Sequence, residues 1–263
     1  MFGQYRDIPD VVTKVATSAA NWLKIESGAR SIAMGGSQVA SGKGVSAIPY
    51  NPSSITYLNN DKEVYYSKVN YLAGITHNTI AYGQKMTFSD YIGVHLFYLD
   101  SGPIGVTTLW EPDGTGEDYH VTNYALRLVY ARLLTDRLRI GGSIKYIREE
   151  IYTMSMQSFL ADIGSNFDTG ISGIMLGMSV SNFGPKVQFH GKGLEVQVPD
   201  TISIDKTLIQ STRKFPVPLV FRLGIKKDIF GAGEDAVHRL TASIDGINPI
   251  DYILYWSMGT EYS

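Results

Sequence analysis

From Glu63 onward, apolar residues recur at every second position in run after run of this 263-residue chain. Strict alternation sends successive side chains to opposite faces of a strand, and a helix cannot use the same pattern. Between Tyr91 and Asp100, Ile92, Val94, Leu96 and Tyr98 face one way, while Gly93, His95 and Phe97 face the other. Tyr124, Leu126, Leu128 and Tyr130 oppose Asn123, Ala125 and Arg127. After a turn at Thr135–Asp136, Leu138, Ile140, Ile144 and Tyr146 oppose Arg139, Gly141, Ser143 and Lys145. Phe159, Ala161 and Ile163 oppose Ser158, Asp162 and Gly164, and Ile174, Leu176, Met178 and Val180 oppose Gly173, Gly177, Ser179 and Ser181. Val217, Leu219, Phe221, Leu223 and Ile225 oppose Arg222 and Gly224. Leu240, Ala242 and Ile244 oppose Arg239, Thr241, Ser243 and Asp245, and Leu254, Trp256 and Met258 oppose Ser257, Gly259 and Glu261.

A half-buried sheet in a soluble sandwich alternates too. Length separates the two architectures. Several runs reach the ~9–11 residues that cross a bilayer at a tilt, whereas globular strands average about 5–6. Aromatics gather near the strand ends, at Tyr91, Tyr98, Tyr124, Tyr130, Tyr146, Tyr152, Tyr252 and Trp256, as interface girdles require. The connections Leu134–Arg137 and Asp168–Ser172 are short and fall on one side, with Ser101–Tyr119 and Phe183–Pro216 on the other. Asp228–Val237 and Ile247–Asp251 break that asymmetry. The pattern predicts an all-β, antiparallel transmembrane β-barrel with about 11 or 12 strands in the sequence.

Composition agrees. Only 18% of residues are charged, against roughly 25% in soluble domains. The 27 glycines suit a crowded lumen and the 17 tyrosines suit membrane interfaces. A net charge of -2 leaves no basic footprint for nucleic acid. The absence of cysteine excludes disulfides and thiolate metal sites. No stretch approaches the ~20 apolar residues of a membrane helix. The start, residues 1–10, has neither the basic region nor the apolar core of a signal peptide. An exported barrel is therefore expected here as a mature or trimmed form.

Residues 21–60 are different: rich in Gly, Ser and Ala, without a strand period, and read as short helical pieces and turns. The expected division is an N-terminal arm and lumenal hatch at 1–60, followed by the barrel at 61–263. Asp168-Thr169-Gly170 matches the aspartic-protease triplet, but it occurs once and at a strand boundary, where it reads as a hairpin turn. Gly36 to Gly44 has phosphate-loop composition with the wrong spacing. The five histidines are scattered, and Asp113, Glu117 and Asp118 read as a solvated acidic loop. No catalytic residue, metal or cofactor is expected. Arg127, Arg139, Lys145, Asp162, Arg222, Arg239, Asp245 and Glu261 fall on the lumenal face. Charges of both signs favour a structural ladder of ion pairs over a permeation path.

The block from Ala20 to Ile55 resembles the amino-terminal signature of the PorV/PorQ proteins, a branch of the FadL-like outer-membrane barrels. The matching elements are Ala20-Asn21, Leu23-Lys24-Ile25, Gly28-Ala29-Arg30, Met34-Gly35-Gly36 and Tyr50-Asn51-Pro52. Further matches are Tyr130 to Leu138, Gly141 to Ile147, and Ser181-Asn182-Phe183-Gly184-Pro185. The sequence departs from the pattern around Gly42–Val45 and at Ser53-Ser54. The resemblance implies a barrel of about 14 strands with the amino-terminal block folded inward. Gly35, Gly36, Tyr50, Asn51 and Pro52 would carry the hatch motif. Because Ser263 follows only 11 or 12 strands, the last strands are expected to be missing from this sequence, the alternatives being a smaller barrel or one closed by another chain. The resemblance also implies a non-enzymatic role in the outer membrane of a Bacteroidota-like Gram-negative bacterium. There the barrel would sit in outer-membrane lipid and bind secreted or surface-anchored proteins of a type IX secretion system, or its translocon. The alternative is a FadL-like transporter of hydrophobic small molecules, gated by the hatch.

Overall fold

The computed structural model describes residues 15, 17–198, 206–209, 212–231 and 237–263. Ten long strands form one antiparallel sheet: β1 Lys62–Asn70, β2 Thr76–Lys85, β3 Asp90–Asp100, β4 Val121–Leu133 and β5 Leu138–Ile151. They continue as β6 Met154–Asp168, β7 Ile174–Phe183, β8 Val220–Phe230, β9 Leu240–Pro249 and β10 Tyr255–Tyr262. Each pairs with the next in chain order, and a short strand, His190–Gly191, adds to β6 as an eleventh. The meander follows from the connections, since a tight turn can only return a strand antiparallel to its neighbour. Tyr152-Thr153 joins β5 to β6 in two residues, with Tyr152 at φ 53.

One rim carries the turns 86–89, 134–137, 169–173 and 231–239; the other carries 71–75, 101–120, 152–153, 184–219 and 250–254. Parts of 184–219 and 231–239 lie outside the described residues, as does most of the N-terminal arm. The first is the short-turn rim and the second the long-loop rim.

The outward face is apolar and exposed. Ile80, Ile92, Leu128, Ile144, Phe159, Ile163, Leu223 and Met258 all point away from the interior. An exposed apolar band along a whole sheet face is stable only against another apolar medium. Near the long-loop rim Tyr124, Tyr146 and Phe159 form a row of ring contacts at 6.0 and 5.2 Å. Two residues depart from the sequence reading. Tyr91, expected in an outer aromatic girdle, is buried inside with Ile55 and Ala131, on the face it shares by alternation with Gly93 and His95. Val217 is buried against Trp22 and Phe97, because the strand begins only at Val220 and Pro218 has no N–H for a ladder.

The sheet curls around residues 20–58, which are short helical turns: Asn21–Lys24, Ala29–Ala33, Val45–Ala47 and Pro52–Tyr57. Among the described residues β1 and β10 do not pair with each other. The block spans the gap. Val45 N–H donates to Glu63 on β1 at 3.1 Å, and Arg30 grips Glu261 on β10 at 2.8 and 2.7 Å.

Candidate functional site

The lumen is organised in three levels along the strands. At the level nearest the short-turn rim, inward-facing glycines let the block touch the wall. They lie as cross-strand partners: Gly83 with Gly93, Gly141 with Gly164, and Gly177 with Gly224. A Cβ on Gly141 would come within 2.6 Å of Pro52, and one on Gly164 would run into the Asn51 side chain. Gly177 and Gly224 meet Val39, and Gly259 meets Met34.

Asn51 is fully buried at this contact. Its Oδ1 accepts from the Ser53 N–H at 3.1 Å and from Ser53 Oγ at 2.8 Å. Its Nδ2 reaches Val39 O at 2.8 Å, Ser165 O at 3.0 Å and Asn166 Oδ1 at 3.0 Å. Every polar position of the amide is thereby used. Asn51 caps the helical turn that Pro52 begins, where a missing N–H costs nothing. Tyr50 Oη accepts from Ser27 N–H at 3.0 Å, and its carbonyl accepts from Ser179 on β7 at 2.7 Å. Burial, and next Glu26, push the Tyr50 phenol up, and burial also pushes the Glu26 carboxyl up. Gly35 and Gly36, at φ 62 and 81, form the left-handed turn after Ala29–Ala33. Gly36 lies against the Glu26 carboxylate and Gly35 against the Met258 carbonyl.

The middle level is charged. Asp162 accepts from Lys145 Nζ at 2.9 and 3.2 Å, from Ser143 Oγ at 2.9 Å and from the Asn182 N–H at 2.7 Å. Arg127 Nε stands 3.6 Å from the same carboxylate, and its Nη1 meets His95 Nδ1 at 3.1 Å. Lys145 also donates to Asn182 Oδ1, and Asn182 Nδ2 donates to Pro218 O at 2.9 Å. Arg222 lies 5.9 Å over the Tyr50 ring and reaches Ser181 Oγ at 3.5 Å. All of these charged groups are buried. A bulge makes the arrangement possible. The β6–β7 register shifts between Ala161 and Ile163, and Asn182 adopts φ 65, a conformation that asparagine tolerates.

Above the charges, toward the long-loop rim, an apolar collar closes the lumen. Trp22 stacks on Phe97 at 6.0 Å among Leu99, Ile147, Leu160 and Val217. Its indole N–H donates to Glu149 at 3.0 Å, and Lys24 pairs with Asp251 at 2.8 Å. Between the block and the wall, at Trp22, Pro49, His95 and Arg127, remains a space of about 20 Å³, room for about one water.

Of the lumenal charges expected from sequence, Arg127, Lys145, Asp162 and Arg222 converge in the middle level. Asp245 instead accepts the Val39 N–H at 2.9 Å. Arg139 stacks on Tyr57 at 3.8 Å and donates to Thr56 O at 3.0 Å. Arg239 and Glu261 lie at the short-turn rim, beside a polar cavity of about 300 Å³ with Arg30, Lys43 and Lys226. Sequence reasoning missed Lys226, which shares the inward face of Arg222 and was legible there; it named Asn182 only within the segment Ser181–Pro185 and gave it no role beside Asp162. Among the described residues no three potential ligands gather as a metal site.

No protein-family profile and no curated protein matches the chain. Among solved structures the fold is similar to the toluene transporter TodX of Pseudomonas putida. The TM-score is 0.49 at 12% identity, covering 88% of this chain and 75% of that chain.

Proposed function

We propose that this chain is a non-enzymatic outer-membrane barrel of PorV/PorQ type that holds a secreted or surface-anchored protein at its long-loop rim. Residues 1–60 act as the arm and hatch, and residues 61–263 as the wall. One observation carries the reading. At the level of the buried charges the lumen is filled across its width, leaving a space of about 20 Å³ beside Trp22 and Arg127. The polar cavity of about 300 Å³ lies at the short-turn rim, while 101–120 and the described parts of 184–219 stand at the other rim. A filled wall with displayed loops serves binding rather than passage. Deleting residues 186–212 in cells is expected to abolish copurification of a surface-exposed protein while the barrel still inserts. Unchanged copurification overturns the proposal.

A second reading, transport of hydrophobic small molecules, is favoured by the apolar collar of Trp22, Phe97, Leu99 and Leu160 facing the long-loop rim. It requires the block to move, because a greasy solute cannot cross a level holding Lys145, Arg127 and Asp162. Uptake of such a solute that depends on Trp22 would favour this reading over the first.

A further inference from the structure

The loop between β3 and β4 is folded, yet it leaves Leu109 and Trp110 almost wholly exposed. Ile104–Gly105 pairs with Asp118–Tyr119, and Val106 N–H donates to Glu117 O at 2.8 Å. Thr115 N–H returns to Val106 O at 2.8 Å. At the tip, Thr108 N–H donates to Glu111 O at 3.2 Å and Glu111 N–H to Thr108 Oγ1 at 3.0 Å. These bonds close a turn that carries Leu109 and Trp110 outward, 96% and 91% exposed. The base is anchored by the Tyr119–Tyr152 ring contact at 5.3 Å and by His120 against Asp100 at 2.8 Å. Neither apolar side chain has collapsed onto the wall, although that would remove each from water.

Charge narrows what covers them. Residues 101–119 contain Glu111, Asp113, Glu117 and Asp118 and no lysine or arginine. All four carboxylates are exposed. Such a tip is repelled by anionic lipid headgroups and attracted to a basic surface. A rigid tryptophan on a short turn is also the type of anchor that dominates protein interfaces.

We infer that Leu109 and Trp110 are the anchor by which this barrel docks a protein partner bearing an apolar pocket rimmed with lysine or arginine. The inference rests on the scaffold reading above and adds the contact point and the partner's chemistry to it. The test places a photo-crosslinking benzoyl-phenylalanine at position 110 of the full chain in intact cells, with the adduct mapped by mass spectrometry. The expected result is a protein adduct on an apolar segment flanked by lysine or arginine. Its yield should fall at least tenfold in a Glu111→Lys/Asp113→Lys background, with the amount of inserted barrel unchanged. Adducts to lipid alone, to a protein segment without basic neighbours, or at a yield indifferent to the charge reversal would overturn it, as would no adduct at all. If the adduct fails while copurification still depends on residues 186–212, the anchor is wrong and the scaffold stands. If both fail, the scaffold reading goes too.

Discussion

Asp162 is the side chain on which the buried charges depend. It is the only carboxylate in hydrogen-bonding or ion-pair contact with both Lys145 and Arg127 among the described residues. Lys145 is fully buried and Arg127 nearly so, so neither cation can turn to water. Removing one partner of such a pair leaves an uncompensated charge and costs ~3–5 kcal/mol, while an apolar pair of similar volume can be neutral or better. Asp162→Ala is therefore expected to lower unfolding stability by that amount, read by urea titration of the barrel in lipid vesicles. Lys145→Met/Asp162→Leu should lose distinctly less, although Arg127 then lacks its nearest carboxylate. Equal losses in the two variants would mean that volume, not charge, sets the cost. Sequence made this residue's face legible but not its company. Alternation states which side of the sheet a residue occupies; the height at which it meets its neighbours depends on register. Here the pairing of Arg127 with Lys145 and of Ser143 with Asp162 follows from the lengths of the turns 134–137 and 152–153, which alternation alone does not give. The place of Asn182 beside Asp162 was out of reach for another reason: the bulge that brings it there interrupts the alternation used to find strands.

At the scale of the element, the wall is built to be touched from inside. A strand interior is normally weakened by glycine, yet β2, β3, β5, β6, β7, β8 and β10 each place one against the block. The pairing of these glycines across strands makes a trough, and the block fills it with backbone at Val39, Pro52-Ser53 and Met34 and with the Asn51 side chain. This explains why residues 21–60 showed no strand period: they are not wall but filling, shaped by small residues rather than by a face. Gly164→Val tests the division of labour. Valine has the better strand propensity, so β6 itself is not weakened, while the added side chain meets Asn51 and Pro52. The expected cost is ~1–3 kcal/mol from overpacking. Its signature should be a block prised off the wall, seen as new trypsin cleavage after Arg30 in a barrel that still resists at β4 to β7. Resistance at Arg30 equal to that of the parent protein would show that the block yields without leaving.

For the molecule as a whole, the question is what keeps β1 and β10 in place when they do not pair with each other. Unpaired backbone groups in lipid cost several kcal/mol each, and the block offers these two edges no ladder partners; what it provides is a fixed setting. It holds β1 through Glu63, which accepts from Val45 N–H at 3.1 Å, and β10 through the two-pronged contact of Arg30 with Glu261. Both grips belong to one body packed on the intervening strands, so each is useful only while the other fixes the distance between the edges. Independent surface contacts far apart would add within ~0.3–0.5 kcal/mol. Grips on a shared bridge should not: once Arg30→Ala has freed β10, Glu63→Ala has less left to release. The double variant is thus expected to lose less stability than the two single variants summed, by more than that margin, in urea titrations of vesicle-inserted barrel. Additive losses would mean that each edge is held by its own neighbours. The block would then be packing material rather than a clasp between the two strands.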